Sequence, residues 1–314
     1  CSYVLLRRFT GRGKGIAVRS HPDVDEGYAK RAQELNADYI FVLDRPVLGD
    51  KFAEEAEKLG LPIVWIDHHE ITEEVSRKGI FVYNPTRNRD KSNEPVSYLC
   101  YQVADKREDL WVAMMGCIAD HHLPDFRGEF EEIWSELWGK NIKEPFDAYY
   151  KTEIGKLARA IAFALKDSVT HVVQLQNFVI SCKGPGDFLA ELEGNRPFAK
   201  KYKEIGKKYE SLLEKARKLS RKKVLFFNYG GSMSISSEIS NELSYIYSNK
   251  IVVVAYTSGP ITNISLRGKN VRGLIKKVLS GFEKASGGGH EDAVGVRLQS
   301  KDLERFKELV FDNS

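Results

Sequence analysis

The chain has 314 residues, of which 42% are hydrophobic and 29% charged, and its formal net charge is +4. That length fits two domains rather than one, and the composition excludes a disordered or fibrous chain. No apolar run approaches the roughly 20 residues a membrane helix needs, and so small a net charge is by itself no argument for nucleic acid.

The opening residues Cys1 to Phe9 carry apolar side chains at helical spacing and predict a helix. They have no signal-peptide cleavage site. Gly15 to Arg19 predicts a short strand, and Asp23 to Leu35 a helix with Asp23 or Asp25 as its cap. Ala37 to Leu43 is a buried strand ending in Asp44, and Gly49 to Leu59 a helix with Phe52, Ala56 and Leu59 on one face. Ile63 to Ile66 is short and apolar, led in by Gly60 and Pro62, and reads as a strand buried on both faces. It ends in Asp67, His68 and His69. A further strand, Ile80 to Tyr83, ends at Asn84. Helices are expected over Glu94 to Val103 and Asp109 to Ala119, the second reaching Asp120. Strands alternating with helices mean βαβ units and a mostly parallel sheet, whose C-terminal strand ends form the ligand crevice. Asp44, Asp67-His68-His69 and the Asn84 turn therefore converge at one edge.

Residues from about 125 to 220 mix aromatics and charges. Helical stretches are predicted at Thr152 to Leu165 and Phe188 to Leu192, the latter with Asp187 as cap, and a long Lys/Glu-rich helix at Pro197 to Leu219. From Lys222 a second α/β unit begins. Strands are expected at Val224 to Phe227, Ile251 to Tyr256, Ile261 to Leu266 and Ala293 to Leu298. Helices are expected at Ser234 to Tyr247, capped by Ser237, at Val271 to Leu279 and at Lys301 to Phe311. The chain divides into 1–150, a helical connector region 151–221 and 222–314. Cys1, Cys100, Cys117 and Cys182 show no CxxC spacing, so neither a disulfide framework nor a zinc site is expected, and a reducing cytoplasm is the default location.

Carboxylate and imidazole at Asp44, His68 and Asp120 suit a catalytic divalent ion with open positions. Two such ions roughly 3.5–4 Å apart would activate water and clamp a phosphoryl oxygen, which needs more carboxylates than these. Alone, Asp44 reads as a helix cap rather than a ligand, and Gly287 to Gly289 without His290 as a flexible turn.

These residues in this order resemble the DHH phosphoesterases: Asp44, Asp67-His68-His69, and Gly116-Cys117-Ile118-Ala119-Asp120. Ser265-Leu266-Arg267 and Gly287-Gly288-Gly289-His290-Glu291-Asp292-Ala293 resemble the DHHA1 domain of the same proteins. The layout is similar to the RecJ-like members, archaeal ones in particular. The resemblance implies an α/β fold, with a mostly parallel-sheet DHH domain and a smaller α/β DHHA1 domain joined by a helical connector. It implies a metal-dependent exonuclease cutting single-stranded DNA or RNA from an end, with Mn²⁺, in two ions, as cofactor and Mg²⁺ as the alternative. Asp44, His68 and Asp120 would bind metal, and Asp67 would support the site and offer a further ligand. His69 would stabilise the scissile phosphate. Arg267, His290 and the backbone of Gly287, Gly288 and Gly289 would grip the substrate. Partners would be single-stranded nucleic acid and DNA repair or replication proteins, with no membrane. Alternatives are hydrolysis of short oligonucleotides, cyclic dinucleotides or 3′-phosphoadenosine phosphate, or a scaffold role with a defective metal site. His121 and His122 fall outside the pattern and read as bystanders, and His21 and His171 as ordinary histidines.

The family's first motif reads approximately His-x-Asp-x-Asp-Gly, and Ser20 to Gly27 looks like it. The spacing argues against the match, because only one helix and one strand fit between Asp25 and Asp44. The expectation is that the sequence begins just after the true motif and that further metal ligands precede Cys1.

Overall fold

A computed structural model describes residues 1–18, 24–70, 77–219 and 223–314. Two compact units divide at Tyr202/Lys203. In the first, α1 (Ser2–Thr10) ends on Gly11 in a left-handed conformation. α2 (Glu26–Glu34) is capped by Asp25, whose carboxylate accepts from Gly27 N. β1 (Ile40–Leu43), α3 (Asp50–Lys58), β2 (Ile63–Ile66) and β3 (Ile80–Tyr83) follow. The strands form a parallel sheet in the order β1-β2-β3, so the apolar run of β2 is central, as its burial on both faces predicts. Register is in line: Leu43, Ile66 and Tyr83 share the last row. One face carries Val42, Ile63 and Trp65 against Ala29, Phe52, Ala53 and Ala56 of α2 and α3.

The remainder of this unit is helical: α4 (Val96–Ala104), α5 (Leu110–Ala119), α6 (Arg127–Ile133), α7 (Ser135–Trp138), α8 (Pro145–Lys151), α9 (Glu153–Ala164), α10 (Val169–Ser181), α11 (Pro185–Leu192) and the start of α12 (Pro197–Arg217). α5 is the core of this assembly. Its residues Leu110 to Met115 are fully enclosed, packed with α1, α4 and α9. Gly116 permits that approach: a Cβ there would lie 2.4 Å from Ser97 Cβ. Arg8 of α1 pairs with the buried Asp109 at 2.5 Å and donates to the carbonyls of Ile180 and Cys182, tying α1 to the ends of α5 and α10.

The second unit contains β4 (Val224–Gly230), α13 (Ser236–Ile246), β5 (Ile251–Ser258), β6 (Ile261–Arg267), α14 (Val271–Leu279), β7 (Ser286–His290), β8 (Ala293–Gln299) and α15 (Leu303–Asp312). Its sheet runs β4-β5-β6-β8-β7; only β4 and β5 are parallel. Val253, Ile264, Leu266, Val294 and Val296 form one face and pack against α14 and α15.

Several expectations change. Residues 15–18, the described part of the Gly15 to Arg19 strand, pair with nothing and form no strand. Gly15 instead lies over Tyr3, where a Cβ would fall 2.6 Å from the ring. Ser20 to Asp23 lie outside the described residues. Asp187 is the third residue of α11 rather than its cap, and it accepts from Lys183 N at 2.7 Å. Ser237 is likewise inside α13; its hydroxyl lies 3.2 Å from that of Ser265. The segment Gly287 to His290, expected as a turn before a strand, is itself the outer strand of the sheet. The four cysteines are free. No described helix is long and apolar enough to cross a membrane.

Candidate metal and phosphate sites

The C-terminal edge of the parallel sheet carries the first site. Backbone bonds from Asp44 N to Ile66 O and from Asp67 N to Tyr83 O continue the ladder one row past the strands. Asp44 and the Asp67 turn are thereby held side by side. Asp44 has a left-handed φ of 58°. A non-glycine residue there is strained, and such strain concentrates where a side chain must be aimed. It caps no helix, because the cap residue of α3 is Gly49.

His68 Nε2 lies 3.6 Å from Asp44 Oδ1 and 3.2 Å from Asp120 Oδ2. The three side chains come from the end of β1, the end of β2 and the C-cap of α5. Asp44, His68 and His69 can each offer an atom within 4.8 Å of the others. Burial and the nearby Asp44 carboxylate push the Asp120 carboxyl upward in pKa, and His68 opposes them. Two converging carboxylates with an imidazole nitrogen between them are what a divalent cation relieves, and mixed oxygen and nitrogen donors suit Mn²⁺. The residues therefore fit such an ion. His68 differs from the usual ligand histidine in one respect: its Nδ1 is buried with no hydrogen-bond partner among the described residues.

Asp67 bonds within its own turn. It is fully buried, and its two oxygens accept from His69 N and His69 Nδ1, each at 2.9 Å. With Nδ1 directed at Asp67, Nε2 is the nitrogen of His69 left for other partners. This bond raises the pKa of His69 above its ordinary 6.5, against the opposing effect of burial. The turn is pinned further by Asn84, a buried residue at the end of β3. Its side-chain amide donates to His69 O at 2.9 Å and its oxygen accepts from Thr86 N. Asn84 was expected at this edge but not in this role; a polar residue directly after an apolar strand was the available signal.

His121 and His122 directly follow Asp120. His122 is half-buried, edge-on to Tyr98 at 5.7 Å, and burial lowers its pKa while Glu94 and Asp120 oppose the shift. The His121 ring lies 4.3 Å from that of Phe146, tilted by 34°. His171 is a surface histidine paired with Asp167 at 2.8 Å. His21 lies outside the described residues. Asp25, the alternative first-motif ligand, is the cap of α2. Trp111 and Trp138 are core residues.

The second unit carries the other predicted group. Arg267, Ala293 and His290 share one row across β6, β8 and β7. Cross-strand partners face the same way, so Arg267 and His290 lie on one face, roughly 10 Å apart at normal strand spacing. Arg267 is held by Asn241 of α13, with Nε to Oδ1 at 2.6 Å, and donates to Leu266 O. The next row on that face, two residues along each strand, is Ser265, Gly295 and Gly288. A Cβ at Gly288 or Gly295 would meet nothing within 4 Å. This is a bare shelf flanked by Arg267, His290 and the hydroxyls of Ser236, Ser237 and Ser265. Backbone groups of an outer strand with so little cover are open to an anion.

Comparison with known proteins supports this division. Residues 221–313 match the family model of the DHHA1 domain. RecJ from Thermus thermophilus, solved with Mn²⁺, superposes with a TM-score of 0.64 at 13% identity, covering 98% of this chain and 49% of that one. Residues 221–313 thus match a DHHA1 domain, and the fold is like that of the RecJ structures. An exonuclease RecJ bound to manganese gives a TM-score of 0.54 at 14% identity, covering 98% of this chain and 85% of that one. CDC45 from Entamoeba histolytica gives 0.50 at 9% identity, covering 99% and 93%. At these identities the likeness is one of fold, and the chain spans about half the length of the Thermus protein. No curated protein matches its sequence.

Proposed function

We propose that this chain is a metal-dependent phosphodiesterase that hydrolyses single-stranded DNA or RNA from an end, with Mn²⁺ as the preferred ion. The observation that supports it is the placement of His68 Nε2 between the Asp44 and Asp120 carboxylates at 3.6 and 3.2 Å. Mn²⁺ held there supplies charge stabilisation at a phosphoryl group and a more acidic water. Asp44, His68 and Asp120 are its ligands. A second ion needs carboxylates beyond these three. His69, fixed through Nδ1 by Asp67, presents Nε2 towards the cluster and in its protonated form donates to a phosphate oxygen. In the DHHA1 domain, Arg267 and His290 bind the strand's phosphates, and the open backbone at Gly288 allows close approach.

Changing His68 or Asp120 to Ala should lower Mn²⁺-dependent cleavage of a single-stranded oligonucleotide roughly a thousandfold or more, with the fold intact. Wild-type-like turnover in either variant would falsify the assignment. The same assay run on a dinucleotide separates an exonuclease from a small-substrate hydrolase. A second reading, a scaffold without activity, rests on the small number of ligands among the described residues and on the CDC45 likeness in fold. Absence of Mn²⁺ binding by titration calorimetry, together with absence of cleavage, favours the scaffold.

A further inference from the structure

One face of the parallel sheet leaves aromatic rings uncovered. The face built from Val42, Ile63 and Trp65 is closed by α2 and α3, so the alternate residues of each strand point the other way. Register sets Phe41, Val64 and Phe81 in one row of that second face, and Leu43, Ile66 and Tyr83 in the next. The central strand is covered there, because Val64 and Ile66 meet the helical core. The rings on the neighbouring strands are not. Five aromatic residues stand exposed among the described residues, and four of them are Tyr39, Phe41, Phe81 and Tyr83, on β1, on β3 or just before β1. Single exposed apolar residues are ordinary on a protein surface, but four from one sheet are not scattered.

The β3 pair is the one that leads into free cations. Phe81 is 58% exposed and Tyr83 51%, and neither ring is engaged by another ring, a cation or a hydrogen bond among the described residues. Two residues apart on one strand, their Cα atoms are separated by about 6.7 Å. Tyr83 O accepts from Asp67 N at 3.1 Å, and the next residue, Asn84, donates from its side chain to His69 O at 2.9 Å. The rings therefore run along the strand that holds the Asp67–His69 turn in place. Beyond Asn84 the chain makes a 3₁₀ turn, Pro85–Arg87, closed by Arg87 N on Asn84 O and Asn88 N on Pro85 O. Arg87, Arg89 and Lys91 are all exposed, and none forms an ion pair among the described residues. The carboxylate among them, Asp90, accepts from Ser92 N.

We propose that Phe81 and Tyr83, with Arg87, Arg89 and Lys91, form a platform for single-stranded nucleic acid beside the turn that presents His69. A single strand is the occupant because it matches both features at once. Its bases offer π-faces to the open rings, and its phosphates offer charge to the unpaired cations. Stacking tolerates any base, so the platform adds affinity without sequence preference. The inference deepens the phosphodiesterase reading and rests on it for the chemistry at the Asp44–His68–Asp120 cluster.

The test reads binding and cleavage separately on the full chain. Binding is followed by fluorescence anisotropy without divalent metal, using a labelled single-stranded DNA of about 12 nucleotides and the same strand made abasic throughout. Phe81→Thr and Tyr83→Thr each keep a β-branched residue at an exposed strand position, and either serves if the other fails to fold. Each should weaken binding of the base-bearing strand roughly tenfold and leave the abasic strand as in wild type. Arg87→Ala and Arg89→Ala should weaken both strands alike, and each should lessen the slope of log affinity against log salt by about 0.7. Unchanged binding of both strands by the folded Thr variants overturns the platform and leaves this face to a protein partner. Mn²⁺-dependent cleavage by a wild type that binds the two strands equally keeps the phosphodiesterase reading and overturns the platform. A wild type that shows the base dependence, loses it in the Thr variants and yet cleaves nothing with Mn²⁺ keeps the platform and overturns that reading.

Discussion

The side chains of Asp67 and His69 divide the labour of one turn. Asp67 was expected to offer a metal ligand, yet both its oxygens are committed to His69. Its burial and its position immediately after the last residue of β2 explain this: the chain has not yet left the sheet, so the side chain points inward. His69, two residues on, emerges half-exposed and carries the raised pKa. For the metal-free protein the sign is fixed by linkage. A histidine whose folded pKa exceeds its unfolded 6.5 contributes stability that is fully present below pH 6.5 and is lost as pH rises through the folded value. Asp67→Asn removes the main cause, so an NMR titration of the His69 ring should show its pKa falling in that variant. The stability difference between wild type and variant should be larger below pH 6.5 than above the folded pKa. An unchanged ring titration would show that Asp67 does not govern His69.

At the level of elements, the central strand β2, its neighbours and the order of both halves were legible because apolar runs bounded by Gly, Pro and Asp leave little choice of structure. Helices α6, α7, α8 and α10 were not. The stretch Val169 to Ser181 is rich in β-branched and aromatic residues, whose intrinsic helix preference is weak; packing of Val172, Leu175 and Val179 into the core decides it. The Gly287 to Gly289 run was not legible as three different positions. Gly289 has φ 146°, and a Cβ there would lie 2.3 Å from Ala293 O, so it is required by the tight connection between β7 and β8. Gly287 faces Leu279 and Val296, whereas Gly288 faces open space. Gly289→Ala should therefore destabilise the DHHA1 domain by about 1–3 kcal/mol in urea unfolding. Gly288→Ala should leave stability nearly unchanged and weaken binding of single-stranded oligonucleotide severalfold. Equal losses of stability in the two variants would contradict the distinction.

For the whole molecule, the chain divides at Tyr202/Lys203 into two compact units, each with its own hydrophobic packing. All the candidate metal ligands, Asp44, His68 and Asp120, belong to the first unit, and Arg267 and His290 to the second. An ion that binds only the folded first unit stabilises it by mass action, by about 2.7 kcal/mol at a concentration a hundred times its Kd. Hydrogen exchange should therefore slow on adding Mn²⁺ at the amides of β2 and α5, whose opening releases the ligands. The amides of β5 and β6 should exchange as before, since no ligand depends on them. His68→Ala should remove the first effect without touching the second unit. If Mn²⁺ instead protects both sheets equally, in wild type and variant alike, the ion is acting elsewhere on the chain, and the cluster at the edge of β2 is not its site.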